Sequence, residues 1–316
     1  MGLGRYSFRA MGSPCALLLY GRSRSELDAV AARAQQLVLA LEAKYSRYRE
    51  DSVLSALNRS AGDPAGVVVD AETANLLDYA DTAFRHSQGL FDATSGALRR
   101  VWNFRSGRVP SPHEVREVLR CVGWGRVRWT RPRLVLPVAG MELDFGGFAK
   151  EYAVDRVTDL CRELGVAGGM VDLGGDLRAI GPHPDGRPWN VGIRDPRAPE
   201  RALRTVPLAD AALATSGDYE RCMVVDGVRY THILDPRTGW PVAGLASASV
   251  VAPQCLVAGT ATTIALLSGE RGAARFLDGL GLPNLRVDAR GRVSGSLASA
   301  GSSDRCARDA RPGPAA

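Results

Sequence analysis

The chain has 316 residues, of which 45% are hydrophobic and 23% charged, a composition typical of one large or two ordinary domains with a well-packed core. Its net charge of +6 comes from arginines scattered over the whole length, without a run of five basic residues or a basic patch interleaved with aromatics. Nucleic-acid binding is therefore not expected. The six cysteines are widely spaced and form no C-x-x-C pair, which argues against a zinc site and predicts reduced, buried thiols.

The N-terminal region contains one short apolar run, from Ala16 to Tyr20. This run is too short for a signal peptide or a membrane span, so it predicts a first strand, "CALLLYG". We therefore expect a cytoplasmic protein without a membrane span. The next segment has apolar residues every three to four positions from Leu27 to Leu41, and it predicts an amphipathic helix that begins at Ser25 and Glu26.

The remaining elements alternate irregularly along the chain. Further helices are predicted at "AETANLLDYADTAFRHSQ", "AKEYAVDRVTDLCREL" and "VAGTATTIALLSG", with a short one after Glu270. Strands are predicted at "RVRWT", "RLVLPV", "GGMVDLGG", "WNVGIRD", "RCMVVDG" and "SASVVAP". Because several strand pairs are joined by short turns, we expect an α+β fold and not a doubly wound parallel sheet.

The domain boundary is predicted from a change in composition. From about Val293 the chain becomes polar and rich in small residues, with prolines near its end. Such a segment cannot bury enough apolar surface to fold. We expect a single domain over residues 1–292 and a disordered tail over 293–316.

The segment "LDFGGFAKEYAVD" is the first candidate site. An apolar strand runs into Gly146 and Gly147, and a helix starts immediately afterwards. The free N–H groups of a helix start are a natural seat for a phosphate. Lys150 strengthens this hypothesis, because the chain has only two lysines, Lys44 and Lys150, among its 40 basic residues. The alternative is an exposed lysine in the first turn of a helix.

Two further segments combine glycine, acid and hydroxyl groups. In "MVDLGGDLRAIG" a strand breaks at a glycine pair and Asp176 follows, which allows either close approach of a ligand or an ordinary turn. In "HILDPRTGWPV" the residue His232 could be a general base, a ligand anchor or a structural histidine. The preceding turn, Ser216-Gly217-Asp218, suits a helix cap or a ligand contact.

Two other segments leave the choice between capping and binding open. In "GLFDATSGAL", Asp92 and Thr94 flank a turn, for which capping is the ordinary explanation. The apolar helix "VAGTATTIALLSG" carries three threonines, although threonine is a mediocre helix former. Their hydroxyls either bond to the helix backbone or face a ligand. The chain has no P-loop, G-x-G-x-x-G, G-x-S-x-G or H-E-x-x-H motif.

Taken together and in order, these segments resemble the ApbE family, the FAD:protein FMN transferases. The matching segments run from Phe8 to about Gly269: "FRAMGSP", "YSRYREDSVLSALN", "GLFDATSGAL", "LDFGGFAKEYAVD", "VDLGGDLRAIG", "WNVGIRDP", "ATSGDYER", "HILDPRTGWPV" and "VAGTATTIALLSG". The resemblance implies a T-fold-like α+β fold with mixed or antiparallel sheets and FAD in a deep cleft between sub-structures. The implied reaction is attack of an acceptor protein's threonine hydroxyl on the FMN phosphorus of FAD, with release of AMP and help from Mg²⁺.

The resemblance also assigns residues to roles. Lys150 and His232 would be catalytic, Lys150 through phosphate charge and His232 as a base for the incoming hydroxyl. The metal would bind the carbonyl of Gly147 and the hydroxyl of Thr263. The cofactor would contact Met11, Leu90, Phe91, Asp92, Asp144, Lys150, Asp176, Ser216, Gly217, Asp218 and Ile233.

The chain departs from the family pattern at two positions near the metal. The family commonly has Lys-Gly where this chain has Lys150-Glu151, and it has an aspartate four residues before the metal-binding threonine, where this chain has Gly259. Asp172 or Asp235 could take the place of the missing acid. On this basis the substitution Gly259→Asp is expected to tighten magnesium binding.

These departures leave two alternatives to the transferase: an FAD pyrophosphatase that yields FMN and AMP, and a non-catalytic FAD-binding protein. The family's acceptors resemble an Asp-led segment that ends in Ser/Thr-Gly-Ala-Thr. In this chain "DATSGAL" comes close but has Leu98 where the acceptor threonine would lie, so self-modification is not expected.

Overall fold

The computed structural model describes residues 2–21 and 23–299. Its helices are α1 (Arg24–Tyr45), α2 (Val53–Arg59), α3 (Ala71–His86), α4 (Pro112–Leu119), α5 (Ala149–Glu163), α6 (Cys255–Leu267) and α7 (Gly269–Leu280). Its strands are β1 (Gly2–Ala10), β2 (Ser13–Gly21), β3 (Val67–Val68), β4 (Arg128–Thr130), β5 (Arg133–Val135), β6 (Gly168–Leu173), β7 (Asp176–Ile180), β8 (Trp189–Arg194), β9 (Ala202–Leu208), β10 (Ala212–Gly217), β11 (Cys222–Val225), β12 (Val228–Thr231), β13 (Leu245–Ala252), β14 (Asn284–Asp288) and β15 (Val293–Ser294).

The central element is an eight-stranded sheet with the order β1-β2-β6-β7-β10-β13-β14-β15, and each neighbouring pair of strands is antiparallel. Successive side chains of a strand point to opposite faces of the sheet. The sheet therefore has a separate hydrophobic cluster on each face. One face packs on α1, α5 and α6 through residues such as Leu17, Val171 and Val250. The other face, which includes Leu177 and Leu213, is covered by the β8–β9 hairpin. The predicted α+β fold is confirmed.

A smaller sheet, β3-β5-β4, and helices α3 and α4 lie in the chain between β2 and β6. A third hydrophobic cluster joins this part to the β11–β12 hairpin, with Trp102, Val122 and Met223 buried in it. The indole N–H of Trp102 donates to the carbonyl of Gly239 at 2.7 Å. This cluster fixes the loops on either side of the hairpin, including the loop that carries His232.

The sequence prediction missed the first strand. β1 pairs along its whole length with β2, and the hairpin turns at Met11 and Gly12, whose φ angles are 50° and 71°. Only one face of β1 is partly buried, and its sequence contains two glycines and two arginines, so it lacks the apolar run by which β2 was recognised. The helix α1 begins at Arg24, with Ser23 as its N-cap.

The predicted boundary of the folded domain at residue 292 is too early. Strands β14 and β15 are paired, and the N–H of Asn284 donates to the hydroxyl of Ser296 at 3.0 Å. Leu297 packs on the cluster under the β8–β9 hairpin. Ordered structure therefore continues to residue 299, and the rest of the predicted tail lies outside the described residues. The short helix predicted after Glu270 is α7, which is 12 residues long.

Within residues 2–21 and 23–299, no helix combines the length and apolar character that a bilayer crossing requires. The cysteines in this part of the chain are Cys15, Cys121, Cys161, Cys222 and Cys255, and all of them are free thiols.

Candidate active site

One cavity of about 640 Å³ gathers most of the predicted site residues. It is formed by the tip of the β1–β2 hairpin, the start of α5, the end of β10, the loop after β12 and two positions of α6. The predicted residues that line it are Met11, Leu90, Phe91, Asp92, Asp144, Gly147, Lys150, Asp176, Ser216, Gly217, His232, Ile233 and Thr263. Segments separated by more than 200 positions in the sequence are thus brought into one cleft.

Asp218 does not belong to this cleft. Its two carboxylate oxygens accept hydrogen bonds from the two terminal nitrogens of Arg197, at 2.7 and 2.8 Å. The carboxylate of Asp218 is turned towards the loop after β8 and bound there in a bidentate pair, an arrangement that does not favour the predicted cofactor contact.

The cleft contains a helix start without a side-chain cap. Phe148 precedes α5, and its side chain does not cap the helix, although the N–H of Ala149 donates to the carbonyl of Phe145 at 2.7 Å. The amide groups of an uncapped first turn are available to an anion and lie at the positive end of the helix dipole. Lys150 lies in this first turn, which gives the helix start a formal positive charge as well.

Lys150 forms a buried ion pair with Asp176. Its Nζ lies 2.5 Å from Oδ2 of Asp176, whose side chain is only 4% exposed. The other carboxylate oxygen of Asp176 accepts from the backbone N–H of Thr215 at 2.9 Å. Burial would lower the pKa of Lys150, but the charges of Asp176 and Glu151 outweigh it and raise the pKa above its usual value. The lysine is thus held as a cation at the cleft wall.

Two arginines that the sequence prediction did not single out hold Asp144. Its carboxylate accepts from Nη1 of Arg47 and from Nε of Arg99, both at 2.9 Å, and from the N–H of Gly146 at 2.8 Å. Burial acts to raise the pKa of Asp144, but the two guanidinium groups lower it below its usual value. Both arginines line the cleft. Arg47 follows α1 closely inside a quoted motif, and that position was the signal available to find it.

Among the described residues, His232 has a hydrogen-bond partner for one of its two ring nitrogens. Its Nδ1 lies 3.0 Å from the carbonyl oxygen of Arg221. Because a carbonyl only accepts, Nδ1 carries the proton and Nε2 keeps its lone pair. Burial, together with the charges of Arg99 and Arg221, lowers the pKa of His232 to about 4. The imidazole is therefore neutral near pH 7, which is the form a general base requires.

The carboxylate of Asp92 is used by its own loop, as the capping alternative predicts. It accepts from the N–H of Thr94 and from the N–H of Trp124, both at 2.8 Å, and from the hydroxyl of Thr94. The neighbouring Phe91 is 5% exposed and packs on Phe148 at the start of α5. This part of the cleft wall is therefore fixed by internal bonds.

The three threonines of α6 have different environments. Thr260 accepts from the phenol of Tyr79 at 2.9 Å, and Thr262 donates to the carbonyl of Gly259 at 2.8 Å. The hydroxyl of Thr262 also lies 2.8 Å from that of Ser216, so both hydroxyls are engaged within the protein. Thr263 alone lines the cleft, where its hydroxyl lies 3.4 Å from that of Ser216.

The acids suggested as substitutes for the one missing at Gly259 do not line the cleft. Asp172 accepts from the N–H of Gly175 at 2.7 Å, and Asp235 pairs with Arg237 at 2.8 Å. Glu151 lines the cleft instead and is only 7% exposed. Burial and the nearby Asp176 raise the pKa of Glu151 to about 8.

The fold and the cleft together define an α+β enzyme with a deep, charged site beside a helix start. Residues 11–285 match the profile of the ApbE family. The FAD:protein FMN transferase of Treponema pallidum is 34% identical, over 93% of this chain and 86% of that protein. A second FAD:protein FMN transferase, from Vibrio cholerae, is 32% identical over 72% of this chain and 70% of its own length.

Solved structures agree with the sequence comparison. The crystal structure of the ApbE protein of Thermotoga maritima has a TM-score of 0.87 and 32% identity, and the match covers 93% of this chain and 97% of that one. The flavin transferase ApbE of Vibrio cholerae has a TM-score of 0.84 and 26% identity, with coverage of 94% and 98%. The chain belongs to the ApbE family.

Proposed function

We propose that this protein is an FAD:protein FMN transferase that moves the FMN part of FAD onto a threonine hydroxyl of an acceptor protein. The observation that carries the proposal is the convergence of the family's motif residues on one cleft at an uncapped helix start. The relatives named above, at 34% and 32% identity, act as FAD:protein FMN transferases. FAD is thus the substrate, and its pyrophosphate is the anion that the start of α5 and Lys150 would receive.

The reaction is a phosphoryl-type transfer in which one bond to phosphorus forms and one breaks. The threonine Oγ of the acceptor forms a bond to the FMN phosphorus, while the bond from that phosphorus to the bridging oxygen of the pyrophosphate breaks. AMP leaves with the bonding electron pair, and the proton of the hydroxyl passes to a base. Catalysis of such a transfer depends mainly on positioning and on neutralising charge.

The chain's own residues are suited to these tasks. Nε2 of His232 can take the hydroxyl proton, since the ring is neutral and its other nitrogen is bound to the carbonyl of Arg221. Lys150 and the pair Arg47 and Arg99 supply positive charge to the cleft wall. Asp176 and Asp144 hold these cations in fixed positions. Met11 and Phe91 offer apolar contact to the flavin.

The cleft also fits a divalent cation. Within the described residues, no group of three or more His, Cys, Asp or Glu side chains could hold a metal by itself. Mg²⁺, however, prefers oxygen ligands and often combines one or two protein carboxylates with substrate phosphates. The carbonyl of Gly147 and the hydroxyl of Thr263 would hold it, beside a buried carboxylate oxygen of Glu151 that lacks a hydrogen-bond partner. When bound, Mg²⁺ would neutralise pyrophosphate charge.

Two measurements test the proposal. The first is a titration with FAD and with FMN, in which FAD should bind more tightly because its adenylate half adds contacts. Equal affinity would contradict the cleft assignment. The second is incubation with FAD, Mg²⁺ and a candidate acceptor, which should give a covalent flavin adduct. Free FMN and AMP without an adduct would support the pyrophosphatase, and no turnover would support the binding protein.

A further inference from the structure

The two positions at which the chain departs from the family pattern touch each other. A β-carbon built on Gly259 would lie 2.5 Å from Cγ, 2.9 Å from Cδ and 3.0 Å from Oε1 of Glu151. Contacts this short mean that no larger residue fits at position 259 while Glu151 keeps its place. Gly259 lies inside α6, where a glycine costs about 1 kcal/mol relative to alanine. Its role is therefore to make room for the side chain of Glu151.

Glu151 is a buried carboxylate with an unsatisfied oxygen. Its Oε2 has no hydrogen-bond partner, and in the described part of the chain it is the one buried carboxylate oxygen in this condition. A buried polar atom without a partner is expensive in a folded protein. The ammonium group of Lys150 lies against the neighbouring acid Asp176, which also accepts from the N–H of Thr215, so among the described residues the hydrogen bond of the lysine goes to Asp176 and not to Glu151.

Glu151 lines the same cleft as two other residues that offer oxygen atoms to a metal, Gly147 and Thr263. Glu151 lies in the first turn of α5, just after Gly147, and Thr263 follows Gly259 by four residues on α6. Residues four apart on a helix are neighbours, with β-carbons roughly 6 Å apart. The carboxylate that fills the space at Gly259 is therefore about one helical turn from the hydroxyl of Thr263, and both residues line the cleft.

We propose that Glu151 is the carboxylate ligand of a divalent cation, so that the acid missing from α6 is supplied by α5. Gly259 then leaves the space that the side chain of Glu151 occupies, and Glu151 supplies the carboxylate that is absent at position 259. The inference rests on the proposed function, because the cation would share the pyrophosphate of FAD with the protein. It also explains why the single substitution Gly259→Asp should not tighten metal binding: the new carboxylate would enter space that Glu151 already fills.

The test uses Mn²⁺ as a paramagnetic substitute for Mg²⁺ and measures its affinity for the full chain by electron paramagnetic resonance. Titrations are run with saturating FAD and without it, and FAD alone is the blank. Glu151→Gln keeps the shape of the side chain and should weaken Mn²⁺ binding by about tenfold or more. The matched control is Glu220→Gln, which removes an exposed carboxylate from the same cleft and should leave the affinity nearly unchanged.

Moving the carboxylate from position 151 on α5 to position 259 on α6 makes the test specific. Glu151→Gly should lose Mn²⁺ affinity, and the double variant Glu151→Gly, Gly259→Asp should regain most of it, because the acid is returned to α6 and its space is cleared. Far-UV circular dichroism and denaturant unfolding verify that each variant is folded. A structural role for Glu151 alone would not produce this recovery of metal binding.

Unchanged Mn²⁺ affinity in Glu151→Gln, absence of Mn²⁺ binding in the wild type, or no recovery in a folded double variant would overturn the inference. These outcomes are separable from failure of the proposed function. The latter is measured by FAD affinity without metal and by the appearance of the flavin adduct. If the protein flavinylates its acceptor but its Mn²⁺ affinity is the same with and without the Glu151 carboxylate, only the metal assignment is refuted.

Discussion

Replacing Lys150 by methionine should destabilise the apo-protein because it leaves a negative charge buried without its partner. The Nζ of Lys150 lies 2.5 Å from the carboxylate of Asp176, and the two side chains are 24% and 4% exposed. After the substitution Asp176 would keep only the N–H of Thr215 as a donor. We expect a loss of about 3 kcal/mol, the lower end of the range for breaking a buried ion pair, since Lys150 is partly accessible.

A double-mutant cycle tests this explanation. Asp176→Asn still accepts from Thr215 and leaves a lysine that can reach water, so it should cost only about 1 to 2 kcal/mol. The combination Lys150→Met, Asp176→Asn should be more stable than Lys150→Met alone, because position 176 then no longer carries a buried charge without its lysine partner. The measurement is equilibrium urea unfolding without FAD. A loss below about 1 kcal/mol for Lys150→Met, or strictly additive effects, would refute the reasoning.

Three further predictions address the base, the cleft boundary and the space around α6. Since the pKa of His232 is lowered to about 4, kcat/KM should hold through pH 6.5 and fall only below about pH 5; a decline centred near 6.5 would contradict this. Asp218→Asn frees Arg197 outside the cleft, so the Kd for FAD should change by no more than about twofold in a fluorescence titration. Gly259→Asp alone should lower the free energy of unfolding by about 1 to 3 kcal/mol in urea, because it collides with Glu151; wild-type stability would show that the space is not filled.

The order of the motifs allowed most of the cleft to be predicted. Residues at strand ends and helix starts, such as Lys150 and His232, were recognisable because glycines and polar residues interrupt apolar runs there. The family resemblance then placed them in one site, and the structure brings them into one cavity. Only the family pattern distinguished Thr263 from Thr260 and Thr262 in the sequence, and in the structure Thr263 is the one of the three that lines the cavity.

Other features depended on tertiary contacts that local sequence does not encode. The contact of Glu151 with Gly259 joins two helices more than 100 positions apart, so each residue looked like an isolated departure from the family pattern. Asp218 occupied a motif position but is held by Arg197 across a loop. Strands β1 and β15 are edge elements with little apolar patterning, and pairing to their neighbours decides their structure.

The most direct test of the central claim is tandem mass spectrometry of a flavoprotein domain whose acceptor segment ends in Ser/Thr-Gly-Ala-Thr, after incubation with this protein, FAD and Mg²⁺. We expect an acceptor threonine that carries FMN through a phosphoester, with one AMP released for each adduct and none formed without the protein. An unmodified acceptor beside free FMN and AMP, or unchanged FAD, would contradict it.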